Sequence, residues 1–103
     1  MDNNQLLQAF IDAGWNRHEA KLYVLLLEIG VQPASVLAKQ VKRNRVTTLH
    51  VLERMVEKGY IAKRKVTYGW SYIANEPDVI LQNLEAKRDE EYRKQNLQAE
   101  LFE

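Results

Sequence analysis

The chain has 103 residues, 46% of them hydrophobic, which suffices for one domain around a single core. It has no cysteine, which excludes disulfides and a thiolate zinc site, and its longest apolar run, Leu22 to Leu27, is far too short to span a bilayer. Net charge is only +1, but residues 39–65 hold nine Lys and Arg against two Glu, while the flanking ends are net acidic.

A basic field of that kind in mid-chain is what a polyanion would feel. The plainer alternative is a set of solvated helix faces with no partner. The first ten residues, MDNNQLLQAF, lack the basic region and apolar core of a signal peptide. A cytoplasmic location and no membrane association are expected.

Asn3 to Ala13 is predicted as a first helix, from the helical spacing of Leu6, Leu7, Phe10 and Ile11, with Gly14 as its stop. Asn16 opens a second. Asn16-x-x-Glu19 fits a capping box, with Asn in place of the usual Ser or Thr. Leu22, Leu25, Leu26 and Ile29 form one face, and Tyr23, Val24 and Leu27 make the rest apolar too. A helix apolar all round is buried on several sides, so this one reads as the core helix, or as core plus dimer surface, ending at Gly30. Pro33 to Val41 is predicted as a short third helix with Val36, Leu37 and Val41 inward.

Lys42-Arg43-Asn44 is a polar corner, and Asn44 can cap a fourth helix running from Arg45 to Lys58 and stopping at Gly59. Tyr60 to Val66 and Ser71 to Ala74 have strand character, with Thr67 to Trp70 as the turn of a hairpin. Pro77-Asp78 starts a last helix. Its first turns are apolar (Val79, Ile80, Leu81, Leu84). Beyond them Arg88, Glu91 and Gln95 fall where a coiled-coil seam should be, leaving a partner-binding tail and a frayed one both open.

Two helices joined by a tight turn make a helix-turn-helix unit. On a wheel of the helix from Arg45, Leu49, Leu52 and Val56 share one face, with Val46 and Met55 at its margins. Thr47, His50, Val51, Arg54 and Lys58 fall opposite. Hydroxyls, an imidazole, a small aliphatic group and cations suit a major groove: Arg forks onto guanine, while Thr and Val can touch a thymine methyl. The N-terminal turns of such a helix usually reach furthest in, which weights Thr47, Thr48, His50 and Val51 for base edges. Arg43, Asn44 and Arg45, at the turn, are better placed for phosphates. Lys63, Arg64 and Lys65 lie on the strand leading to the hairpin tip, and alternation sends Lys63 and Lys65 to one face and Arg64 to the other. Such a wing can flank the duplex and contact phosphates. Tyr68 and Trp70 either stack on sugar or base, or brace the hairpin against the body.

Other chemistry finds little support. His18 and His50 are isolated, and no cysteine joins them in a metal site. Asp89, Glu90 and Glu91 are consecutive, so on a helix they point apart rather than forming a catalytic pair. No Gly-rich phosphate loop or nucleophile motif is present. An enzyme and a cofactor are not expected.

Gly14-Trp15-Asn16 through Glu19-Ala20-Lys21-Leu22-Tyr23, then Leu26 to Gly30, resembles the opening of the TrmB-like winged-helix transcriptional regulators. Pro33-Ala34-Ser35 with Leu37-Ala38 resembles the family's next helix. Arg45 to Gly59, followed by Tyr60-Ile61, resembles its recognition helix and the start of its wing, and Ala74 and Pro77 match the end of that wing. The likeness covers roughly residues 5 to 85. It implies a winged helix-turn-helix that binds duplex DNA as a dimer and regulates transcription. Trp15 and Val36 depart from the family's usual aliphatic and acidic residues. Larger members continue into a sugar-binding effector domain, and nothing in this chain carries over such a site, so the effector is left open.

The expectation is a mainly α winged helix-turn-helix with a small β-hairpin wing over 1–76, and a long C-terminal helix over 77–103 serving dimerisation. Its expected role is a sequence-specific, double-stranded DNA-binding regulator, a homodimeric repressor. The rivals are a winged-helix protein–protein interaction module and an architectural DNA binder with little sequence preference.

Overall fold

The computed structural model describes residues 2–84. Local capping sets where the helices begin. Asp2 accepts from the Gln5 backbone N–H at 2.8 Å and the Gln5 side chain returns the bond, which starts α1 (Asn3–Asp12). The reciprocal pair of Asn16 and Glu19 starts α2 (Arg17–Ile29) as the sequence pattern predicts, with Glu19 N–H donating to Asn16 Oδ1 at 2.8 Å. Two residues of extended chain, β1 (Gln32–Pro33), precede α3 (Ala34–Val41). Asn44 caps α4 (Arg45–Glu57), its Oδ1 accepting from the Val46 and Thr47 amides at 2.7 and 3.3 Å. The hairpin β2 (Ile61–Val66) and β3 (Gly69–Ala74) follows, and a helix α5 over 77–84 closes the described chain.

The turn between α3 and α4 is tight because Lys42 takes a left-handed conformation, φ 56° and ψ 44°, at the end of α3. An L-residue there carries roughly 1–2 kcal/mol of steric cost, borne here by a non-glycine cation at the tip of the helix-turn-helix. The Arg43 amide then donates back to the Ala38 carbonyl at 3.0 Å and fixes the corner.

Two elements differ from the sequence reading. Pro33 belongs to a strand rather than to α3, and β1 pairs antiparallel with β3 through Gln32–Tyr72 and Pro33–Ser71, giving a three-stranded sheet in the order β1-β3-β2. Proline fits that edge, where its missing N–H breaks no ladder bond. The hairpin turn is narrower than Thr67 to Trp70. Gly69 adopts φ +94°, open to glycine and rarely to other residues, so the chain reverses over Thr67 and Tyr68 alone. Trp70 is thereby in the strand, opposite Lys65. α2 is buried on several sides, as its all-round apolar sequence predicts, and leaves Leu27 and Ile29 over a third exposed. The charged tail, including Arg88, Glu91 and Gln95, lies outside the described residues.

α2 packs against α1, α3, α4 and β3, which makes it the core helix. Around it Phe10, Leu22, Tyr23, Leu37, Leu52, Met55, Ile61 and Tyr72 are all buried. Trp15 sits in an aromatic cluster. It stacks on Phe10 and Tyr60 at centroid distances of 4.2 and 4.0 Å and meets Tyr23 edge-on at 5.3 Å. Such aromatic pairs add about 0.5–1.5 kcal/mol each beyond area burial. The Tyr23 hydroxyl donates to the Asn75 carbonyl, tying α2 to the end of the hairpin. Ile80 of α5 is buried in the same core, so α5 packs on the domain rather than projecting freely from its first turn.

Candidate nucleic-acid interface

The solvent face of α4 follows from which residues the core takes. Thr48, Leu52 and Met55 are buried, and Val51 and Val56 are half-buried against the core. That leaves Thr47, His50 and Arg54 exposed as predicted, joined by Val46, 60% exposed, and Leu49. Two sequence expectations are corrected here. Thr48 is fully buried and cannot offer its hydroxyl to a base edge. Its Oγ1 has no hydrogen-bond partner among the described residues. Val51 packs inward, so the apolar groups available to a thymine methyl are Val46 and Leu49 instead. The helix is rolled relative to the wheel reading because α3 and α2 dock against its Thr48 side.

Cations border that face on two sides. At the turn, Lys39, Lys42, Arg43 and Arg45 are all exposed, and a shallow cleft of about 360 Å³ lined by Ser35, Lys39, Arg43 and Arg45 opens beside them. Lys39 and Lys42 were not among the sequence-predicted contacts. Their position at the end of α3, facing the corner, was the available signal. Asn44 commits its Oδ1 to capping α4, so a phosphate contact would fall to its Nδ2. His18 lies near this corner. Burial, then the Arg43 and Lys21 charges, push its pKa below the ordinary 6.5.

On the other side is the wing. The register pairs Lys63 with Tyr72, Arg64 with Ser71 and Lys65 with Trp70, so Lys63 and Lys65 share a face and Arg64 takes the other, as alternation predicts. The two lysines lie over the Trp70 ring, with Nζ 4.8 and 5.4 Å from its centroid. Trp70 is thus partly braced by its own hairpin. Tyr68, at the turn, is 95% exposed and braces nothing.

Two of the expected cations have other commitments. Lys58, at the far end of α4, pairs with Glu19 at 3.3 Å. Glu19 is 5% exposed, and a carboxylate so buried needs a countercharge, which Lys58 supplies from a side chain that is itself 45% exposed. Lys63 pairs with Glu53 of α4 at 3.3 Å. Glu53 also accepts from the Tyr72 hydroxyl at 2.7 Å. That hydrogen bond, against a smaller opposing effect of burial and with help from Lys63, holds the Glu53 carboxyl below its ordinary range, while burial first and Glu53 second push the Tyr72 phenol up. Glu53, which links α4 to the wing through Lys63 and Tyr72, is not among the residues singled out from the sequence. Its partners Lys63 and Tyr72 come from the two strands of the wing, which a local pattern in α4 does not reveal. Between α4 and the wing lies a groove of about 550 Å³, bordered by Arg45, Leu49, Glu53, Lys63, Trp70 and Tyr68.

Among the described residues no helix is long and apolar enough to cross a membrane. Comparison with solved structures places the fold. TrmBL2, an archaeal chromatin protein with a novel mode of DNA binding, superposes with a TM-score of 0.75 at 22% identity over 96% of this chain. The chain spans only 37% of TrmBL2's length. A MarR family protein from Bacillus stearothermophilus matches with a TM-score of 0.63 at 16% identity, covering 88% of this chain and 66% of that one. The YusO protein from Bacillus subtilis matches at 0.58 and 18%, over 93% of this chain and 80% of that one. Comparison with curated proteins finds no match. The family described as "Sugar-specific transcriptional regulator TrmB" matches residues 12–78, from the end of α1 through the three-stranded sheet to the start of α5. The chain therefore belongs to the TrmB family of transcriptional regulators and carries its winged helix-turn-helix.

Proposed function

We propose that this protein is a sequence-specific, double-stranded DNA-binding regulator that acts as a homodimeric repressor. One observation supports it above the rest: the solvent face of α4 offers Thr47, His50 and Arg54 between a cationic turn and a cationic wing. A helix so flanked can enter a major groove while Arg43, Arg45, Arg64 and Lys65 meet phosphates on either side. In a two-fold dimer the two recognition helices would read half-sites one helical turn, roughly 34 Å, apart. The partly exposed Leu27 and Ile29 of α2, with Val79 of α5, are apolar side chains that a dimer can cover. Repression by occupying a promoter is the simplest consequence of such binding.

Thr47→Ala and Arg54→Ala test this directly. Each should lower the preference for the cognate site over random duplex, by about 1–3 kcal/mol where a bidentate base contact is lost. Competition binding with the two duplexes measures it. Equal loss on both would remove base readout from α4.

A second reading takes support from the chromatin protein TrmBL2: an architectural DNA binder with little sequence preference. Against it stand Glu53 and Glu57 on the recognition helix, since carboxylates there work against indiscriminate phosphate binding. The ratio of specific to random affinity separates the two readings.

A further inference from the structure

The wing and the recognition helix are joined by a carboxylate where a polyanion is expected to dock. Glu53 is held there by a fixed donor. The Tyr72 hydroxyl, on a residue 2% exposed, donates to its Oε1 at 2.7 Å. Lys63 Nζ then sits 3.3 and 3.5 Å from the two carboxylate oxygens and 4.8 Å from the Trp70 centroid. The ammonium is thus engaged by a carboxylate and by the face of a ring.

Stability accounts for the Tyr72–Glu53 hydrogen bond but not for the ion pair with Lys63. Both members of the Lys63–Glu53 pair are more than a third exposed at the side chain, 35% and 39%, and ion pairs of that exposure contribute about 0–1 kcal/mol. The consequence for DNA is larger. A lysine that reaches a phosphate releases a condensed counterion and adds about 0.9 to the salt slope, whereas a lysine already neutralised by a carboxylate adds little. Among the residues that border the groove between α4 and the wing, Glu53 is the one acid, and Arg45 and Lys63 are the cations.

We propose that Glu53 is a positioning residue that withholds Lys63 from the DNA backbone. By holding the ammonium against α4, it lowers affinity for random duplex and leaves a larger share of binding to base contacts from the same helix. The wing then presents Arg64 and Lys65 as its phosphate contacts, with Lys63 as the member held back. This rests on the DNA-binding reading above.

The test is Glu53→Gln, which keeps an acceptor for the Tyr72 hydroxyl and removes the charge. Affinity for a random duplex is measured over a salt series, so that base readout does not enter. The expected result is a salt slope steeper by about 0.9 and a gain of roughly fivefold to tenfold near 0.1 M salt, the effect of one added phosphate contact. Lys63→Ala in the Glu53→Gln background should abolish that gain, and should cost more there than in the parent. A Glu53→Gln protein with the parent's slope, on a parent that binds duplex in a salt-dependent manner, overturns the role assigned to Glu53 and leaves the DNA-binding reading standing. Equal costs of Lys63→Ala in both backgrounds overturn it as well, without relying on the single variant. A parent that binds no duplex at low salt overturns the DNA-binding reading and the Glu53 role with it.

Discussion

Thr48 shows how one side chain separates a structural role from a recognition role. It sits between Thr47 and Leu49 on α4, but it is fully buried, with a hydroxyl that finds no partner among the described residues, while Thr47 faces solvent. An unsatisfied buried polar group costs about 1–3 kcal/mol. Thr48→Val keeps the shape and removes the hydroxyl, so it should raise stability in urea unfolding by about 1 kcal/mol and leave duplex affinity unchanged. Loss of DNA binding in that variant would restore Thr48 to the interface. His18 carries a second prediction at this scale. Its folded pKa lies below the ordinary 6.5, chiefly through burial and then through Arg43 and Lys21. The unfolded chain therefore binds the proton more readily than the folded one. The contribution of His18 to stability is complete above about pH 6.5 and is lost as pH falls through the folded value. The urea midpoint should drop between about pH 7.5 and about pH 5.5, and His18→Gln should remove part of that drop. A midpoint insensitive to pH in the parent would contradict the burial of a neutral imidazole.

At the scale of elements, the wing is the part whose energetics are most separable. Arg64→Ala and Lys65→Ala should each weaken cognate and random binding alike, and flatten the salt slope by about 0.9 per lost phosphate contact. Unchanged slopes in both would take the wing out of the interface. The helix starts were legible in the sequence because capping is local: Asn16 with Glu19, and Asn44 with the two amides after it, are separated by three residues or fewer. The strand β1 was not legible. Two residues have no periodicity, and Gln32 and Pro33 become a strand only because β3 lies beside them. The roll of α4 was misread for a related reason. Val46 and Leu49 are apolar yet exposed, so the helix has no single clean apolar stripe, and its docking against α2 and α3 selected the Thr48 side. The contact of Glu53 with Lys63 and Tyr72 spans 10 and 19 residues, beyond the reach of any local pattern.

For the whole molecule, the charge distribution proved more informative than the net charge of +1. The basic residues of 39–65 come together around one helix face, while Lys58 and Lys63 are drawn off by Glu19 and Glu53. The chain matches a TrmB-family domain over residues 12–78 and spans 37% of TrmBL2. The function proposed for this domain is selective binding of duplex DNA through α4. The measurement that tests this most directly is fluorescence anisotropy on two labelled duplexes, the region upstream of its own gene and a scrambled control, over a salt series. Affinity for the upstream duplex that persists as salt rises, while affinity for the control collapses, is the predicted result, because base contacts lose less to salt than phosphate contacts do. Identical affinities and slopes on the two duplexes would contradict sequence-specific recognition by this helix.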